Sequence, residues 1–143
     1  MITALDANVL VALWDENHAL NAIAVKSLQT AALRGRLVIS APVYVEIRAV
    51  PIRDERWIDD FLAQASIDVD WAMTEQIWRE AARASNEYSR RRGSNAHGKV
   101  QHPRRIAADF LIGAHAWVNG LNLLTMDRRT FQTAFPGLNL ISL

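Results

Sequence analysis

The sequence contains no cysteine, which excludes disulfides, thiolate zinc sites and cysteine nucleophiles and leaves oxygen and imidazole as the available metal donors. Neither sign of charge is in surplus: 16 basic and 15 acidic side chains give a net charge of +1, so no blanket of one sign points to a partner. No uncharged stretch reaches the roughly 18 residues of a membrane span. The first apolar run, Met1 to Trp14, carries Asp6 and lacks both a basic leader and a small-residue cleavage site, so no signal peptide is expected. Short catalytic signatures are missing as well. The four histidines show no H-E-x-x-H spacing, and there is no G-x-S-x-G for a serine hydrolase. What remains is 143 residues, half of them hydrophobic, which suffices for one cytoplasmic domain over residues 1–143 with a core of its own.

Short apolar segments alternate with longer periodic ones, the pattern of an α/β domain with a mainly parallel sheet. Four or five strands are expected: Ile2 to Leu5, Leu37 to Ser40, a weak Ile67 to Val69, Leu121 to Thr125 and Leu138 to Ile141. His18 to Arg34 has helical spacing and ends at Gly35, read as a left-handed cap. Pro42 suits the first position of a helix that Pro51 ends. Thr74 to about Arg91 is amphipathic, and a further helix from His102 and Pro103 closes at Gly120. Charge is unevenly spread along the chain: residues 83–105 hold seven basic side chains against Glu87, whereas residues 1–82 hold seven against twelve acids.

Gly93 to Lys99 reads G-S-N-A-H-G-K and matches a phosphate-cradling loop up to its last position. Val100 replaces the required hydroxyl and an Arg-rich helix end precedes the run instead of a strand, so the match is read as accidental. His115 lies in an apolar helix and is read as a packed side chain.

The acids carry more information. Asp6 directly follows the first strand and Asp127 follows Leu121 to Thr125, so both are expected at carboxyl ends of parallel strands, where open α/β sheets place their ligand sites. Glu46 falls early in the helix opened at Pro42. Asp109 interrupts an apolar, small-residue helix, where a carboxylate wants a partner. Each has a local explanation. Asp6 and Asp127 can cap helices, Glu46 can pair with Arg48, and Asp109 can pair with Arg105. Together, four carboxylates at one sheet edge repel, and a divalent cation removes that cost. Oxygen-only ligation suits Mg2+ or Mn2+.

The runs Leu5-Asp6-Ala7-Asn8-Val9-Leu10, Val45-Glu46-Ile47, Ala108-Asp109-Phe110-Leu111-Ile112-Gly113-Ala114 and Leu124-Thr125-Met126-Asp127 resemble, in order and spacing, the PIN-domain nucleases and in particular VapC-type toxins. The resemblance spans essentially the whole chain. It implies a PIN-like three-layer α/β/α sandwich and a Mg2+- or Mn2+-dependent endoribonuclease that hydrolyses RNA by a metal-activated water, leaving a 5′-phosphate and a 3′-hydroxyl. On this resemblance Asp6, Glu46, Asp109 and Asp127 form the acidic site, with Asp6, Asp109 and Asp127 as metal ligands and Asn8 and Thr125 in support. It also implies a cognate antitoxin and a homodimer, and Trp57, Ile58, Phe61 and Leu62 are read either as a surface for such contacts or as a core helix. The stretch from Arg90 to His102 is longer and more basic than a minimal member would have.

An acidic pocket repels RNA, so Arg91, Arg92, Lys99, Arg104 and Arg105 are the candidates for attracting it through phosphate contacts. Two other readings compete: a non-catalytic PIN-like module that binds RNA or a partner, and a Mg2+-dependent phosphatase with Asp6 as nucleophile. The phosphatase wants an acid two residues on, where Asn8 stands.

Overall fold

A computed structural model describes residues 1–51, 53–93 and 104–143, apart from the side chains of residues 92–93 and 104–106. Five strands alternate with seven helices among these residues. The strands are β1 (Ile2–Leu5), β2 (Arg36–Ser40), β3 (Ile67–Asp70), β4 (Asn122–Thr125) and β5 (Leu140–Ser142). The helices are α1 (Ala7–Trp14), α2 (Asn21–Arg34), α3 (Ala41–Arg48), α4 (Glu55–Gln64), α5 (Glu75–Gly93), α6 (Arg104–Val118) and α7 (Arg128–Ala134).

All four strand pairings are parallel, in the order β3-β2-β1-β4-β5. Runs such as Thr3 to Leu5 and Leu37 to Ser40 are buried on both faces of the sheet, as a parallel sheet covered by crossover helices requires. The order has a functional consequence. From β1 the chain moves outward through β2 to β3, then returns to the other side of β1 for β4 and β5. The reversal makes the carboxyl ends of β1 and β4 a topological switch point, the place where open α/β sheets put their ligand sites.

Several boundaries differ from the sequence reading for identifiable reasons. Gly35 (φ 159°, ψ −162°) is not a left-handed cap. It is extended, and a Cβ there would stand 1.9 Å from the Met1 carbonyl oxygen, so the position needs glycine for a close backbone approach. Gly120 (φ 65°) does take the left-handed conformation, at the end of α6. His18 to Leu20 precede α2 rather than open it: the His18 Nδ1 accepts from the Leu20 amide and ties the segment into a turn. Pro42 is the second helical residue of α3, after Ala41. Strand β5 begins at Leu140, two residues later than expected, because the Leu138 amide donates to the Phe135 carbonyl and keeps that residue in the preceding turn. Ile58 and Leu62 belong to the core rather than to an exposed surface, leaving Trp57 exposed and Phe61 partly buried. Trp57 and Phe61 stack nearly parallel, and both meet Trp14 edge-on. The G-S-N-A-H-G-K run and the start expected for α6 at His102 and Pro103 lie outside the described residues. No described helix is long and apolar enough to cross a membrane.

Candidate active site

Asp6 is the first residue beyond β1, and its position is forced by two demands at once. Its Oδ1 accepts from the Ala7 amide at 2.8 Å and so caps α1, using a short acceptor to satisfy a helix-end donor. Its Oδ2 accepts from the Thr125 hydroxyl at 2.7 Å. The residue is 3% exposed. Burial drives its carboxyl above the usual carboxylate range, and the charge of Asp127 adds to the push, while the bonds from Thr125, Ala7 and Asn8 oppose it.

Thr125, the last residue of β4 and fully buried, is the pivot of the cluster. While its hydroxyl donates to Asp6, the same oxygen accepts from the Asp127 amide at 2.9 Å. One hydroxyl therefore links the ends of two adjacent strands. Asn8 performs a similar cross-link, its Oδ1 accepting from the Met126 amide at 3.2 Å. Asp127 caps α7: Oδ1 accepts from the Thr130 amide at 3.2 Å and Oδ2 from the Thr130 hydroxyl at 2.7 Å. Thr130 was missed in the sequence, although an acid followed three residues later by threonine is a helix-start spacing.

Asp109 rides on α6 and Glu46 on α3. The Asp109 carboxyl is pushed up to about 7, first by burial and then by the charges of Asp6, Glu46 and Asp127. Glu46 is also raised, by burial and then by Asp6. These mutual effects bring all four sequence-predicted acids into one electrostatic neighbourhood. The expected Glu46–Arg48 pair does not form, because Arg48 reaches Glu55 at 3.8 Å instead. Among the described residues none of the four acids has a salt-bridge partner.

No group of three or more acidic or histidine side chains among the described residues is drawn together tightly enough to hold an ion. The chemistry of the donor set nevertheless fits a hard divalent cation. It is all oxygen, partly buried and short of countercharge, and burial and repulsion raise the carboxyls of Asp6, Glu46 and Asp109, a penalty that a dication would lift.

The basic residues behave differently. Arg91 is engaged within the molecule: its Nη1 donates to the Thr133 carbonyl at 2.7 Å and its Nη2 lies 3.9 Å from Glu87. Lys99 and the side chains of Arg92, Arg104 and Arg105 lie outside the described residues, as does the expected Asp109–Arg105 pair.

A search of curated proteins finds no match. Solved structures do match across almost the full length. A chain of VapBC2 from Rickettsia felis, solved bound to a DNA fragment from their promoter, has a TM-score of 0.70 at 18% identity, with 99% of this chain and 98% of that one covered. VapBC-1 from nontypeable Haemophilus influenzae gives 0.67 at 21% identity, with 99% and 98% covered. FitAcB from Neisseria gonorrhoeae gives 0.63 at 23% identity, with 99% and 97% covered. At these identities the likeness establishes the fold. The family model for the PIN domain matches residues 3–136, and with that span matched the chain belongs to the PIN domain family.

Proposed function

We propose that this protein is a divalent-metal-dependent endoribonuclease, the toxin of a VapBC-type toxin–antitoxin pair acting in the cytoplasm. What supports the reading is that Asp6, Glu46 and Asp109 feel the charges of their acidic neighbours, Asp127 included, near the switch point of the sheet, without a cationic partner among the described residues. A non-catalytic binding module gains nothing from like charges gathered near one another.

In this reading Asp6 and Asp109 hold a Mg2+ or Mn2+ ion, with Asp127 as a third ligand. When bound, the ion supplies positive charge that neutralises the phosphate oxygens and makes water a stronger nucleophile. The protein's own groups do the rest. Thr125 fixes the Oδ2 of Asp6 and the amide of Asp127, so the two strand-end acids are held in one orientation before substrate arrives. Glu46, its carboxyl raised by burial and by Asp6, accepts the proton of the attacking water. The water oxygen bonds to phosphorus as the P–O3′ bond breaks, the leaving 3′ oxygen takes a proton from solvent to become a hydroxyl, and the 5′-phosphate stays on the other fragment. Phosphates reach this acidic crevice through Arg92, Lys99, Arg104 and Arg105, whose contacts give salt-dependent affinity with little sequence selectivity. Arg91, already held by Thr133 and Glu87, contributes less. The antitoxin is a protein partner of this chain, and a homodimer is the expected assembly.

The test is incubation of a mixed RNA with wild type, Asp6→Asn and Asp109→Asn, each with Mg2+, with Mn2+ or with chelator. Cleavage by wild type alone, and only with metal, is expected. RNA that is bound but uncut in every tube makes the protein a binding module, and phosphate released from a phosphomonoester makes it a phosphatase.

A further inference from the structure

Helix α6 carries Asp109 and buries Phe110 and Ile112 in the core, contacts that hold the helix on the sheet without being directional. Ala114 and Ala116 are buried and small, and at Gly113 the Phe135 ring takes the space of a side chain, 2.3 Å from where a Cβ would stand. The small residues let the helix pack closely, and among the described residues its fully buried side chains are apolar with one exception. The polar exception is His115. It is fully buried, and its Nε2 lies 2.8 Å from the Oδ2 of Asp70 at the carboxyl end of β3. Asp70 is itself oriented, its Oδ1 accepting from the Ala72 amide at 3.0 Å.

The bond carries a cost. The Nδ1 of His115 is buried with no hydrogen-bond partner, and an orphaned buried polar atom is destabilising whichever protonation state it adopts. Leucine would fill similar space without that penalty. Only the directed contact with Asp70 sets the histidine apart from a packed apolar residue. His115 lies six residues beyond Asp109, about 9 Å along the helix axis, while the strand register sets Asp70 opposite Ser40, on the strand next to β1. A directed bond from α6 to the outermost strand thus fixes one point of the helix relative to the sheet.

We propose that His115 is a positioning residue, and that its hydrogen bond to Asp70 locks α6 against the sheet so that Asp109 is held among Asp6, Glu46 and Asp127. The proposal rests on the nuclease reading for its meaning, but its test does not need activity.

The experiment is a double-mutant cycle on the metal-free full chain in chelator at pH 8, read as the urea midpoint. Asp109→Asn removes the repulsion and raises the midpoint in wild type. In His115→Leu or Asp70→Ala that rise falls to less than half, because Asp109 is no longer held in the cluster. His115→Gln, whose amide nitrogen reaches the place of Nε2, restores the full rise. An equal rise in all four backgrounds overturns the proposal and leaves His115 a packing residue. Asp70, partly exposed at a strand end, provides the variant that folds if His115→Leu does not. The second readout is Mn2+ affinity without RNA. A tenfold or greater loss in His115→Leu, recovered in His115→Gln, supports the proposal, and unchanged affinity in His115→Leu overturns it. Absence of Mn2+ binding by wild type defeats the nuclease reading and leaves the cycle to decide the positioning role.

Discussion

Helix α5 and the carboxyl edge of the sheet use the same residue type in opposite ways. Along α5 the acids Glu75, Glu80 and Glu87 each meet an arginine three or four residues away, with Glu75–Arg79 at 3.1 Å and Glu87–Arg83 at 3.0 Å. All are at least partly solvated, and such pairs contribute little to stability. At the sheet edge, four acids from four separate segments share one electrostatic neighbourhood with no arginine or lysine paired to them among the described residues, and Asp109 is pushed up to about 7. The first arrangement is what helical spacing produces locally. The second requires long-range folding to bring like charges near one another, a cost that a bound cation would offset.

The contrast can be broken at several points. The largest effect is expected on RNA cleavage: Asp6→Asn or Asp109→Asn lowers the rate by a hundredfold or more, the scale of losing a group preorganised for the transition state, whereas Glu75→Gln leaves it within twofold. Thr125→Val is next. It removes the hydroxyl that serves Asp6 and Asp127 together, and a lost buried bond to a charged group costs about 2 kcal/mol, measurable by chemical denaturation.

Asp109→Asn acts in the opposite direction and stabilises the metal-free fold at pH 8 by about 1 to 2 kcal/mol, a figure reduced for partial solvent screening. The sign follows from linkage. The folded state holds the Asp109 proton up to about pH 7, while the unfolded chain releases it near 3.8. Wild-type stability therefore falls across that interval, and the advantage of the variant is absent below pH 4 and complete above pH 7. Denaturation curves at several pH values check this. The smallest effect is at the surface, where Arg79→Ala changes stability by about 0.5 kcal/mol or less.

The sequence made legible those features that local pattern controls. The apolar runs of β1, β2 and β4 and the helical spacing of α2 and α5 identify themselves, and Asp6 and Asp127 stand out because they follow strands. Asp109 is visible as a charge in an apolar helix. Other features depend on contacts distant in sequence. Strand β3 reads I-D-V-D, the weak pattern of an edge strand, so nothing marks Asp70 as the partner of a histidine 45 positions away. Thr125 is an ordinary strand residue until Asp6, 119 positions earlier, is placed beside it. Gly35 has the composition of a helix cap, and only the approach of Met1 reveals its actual role.

The most direct test of the central claim is the urea midpoint at pH 8, measured with chelator and with millimolar Mg2+ or Mn2+, for wild type, Asp109→Asn and Glu75→Gln. The account predicts that the cation stabilises wild type and Glu75→Gln alike and leaves Asp109→Asn nearly unchanged. Equal stabilisation of all three proteins, or of none, would contradict it.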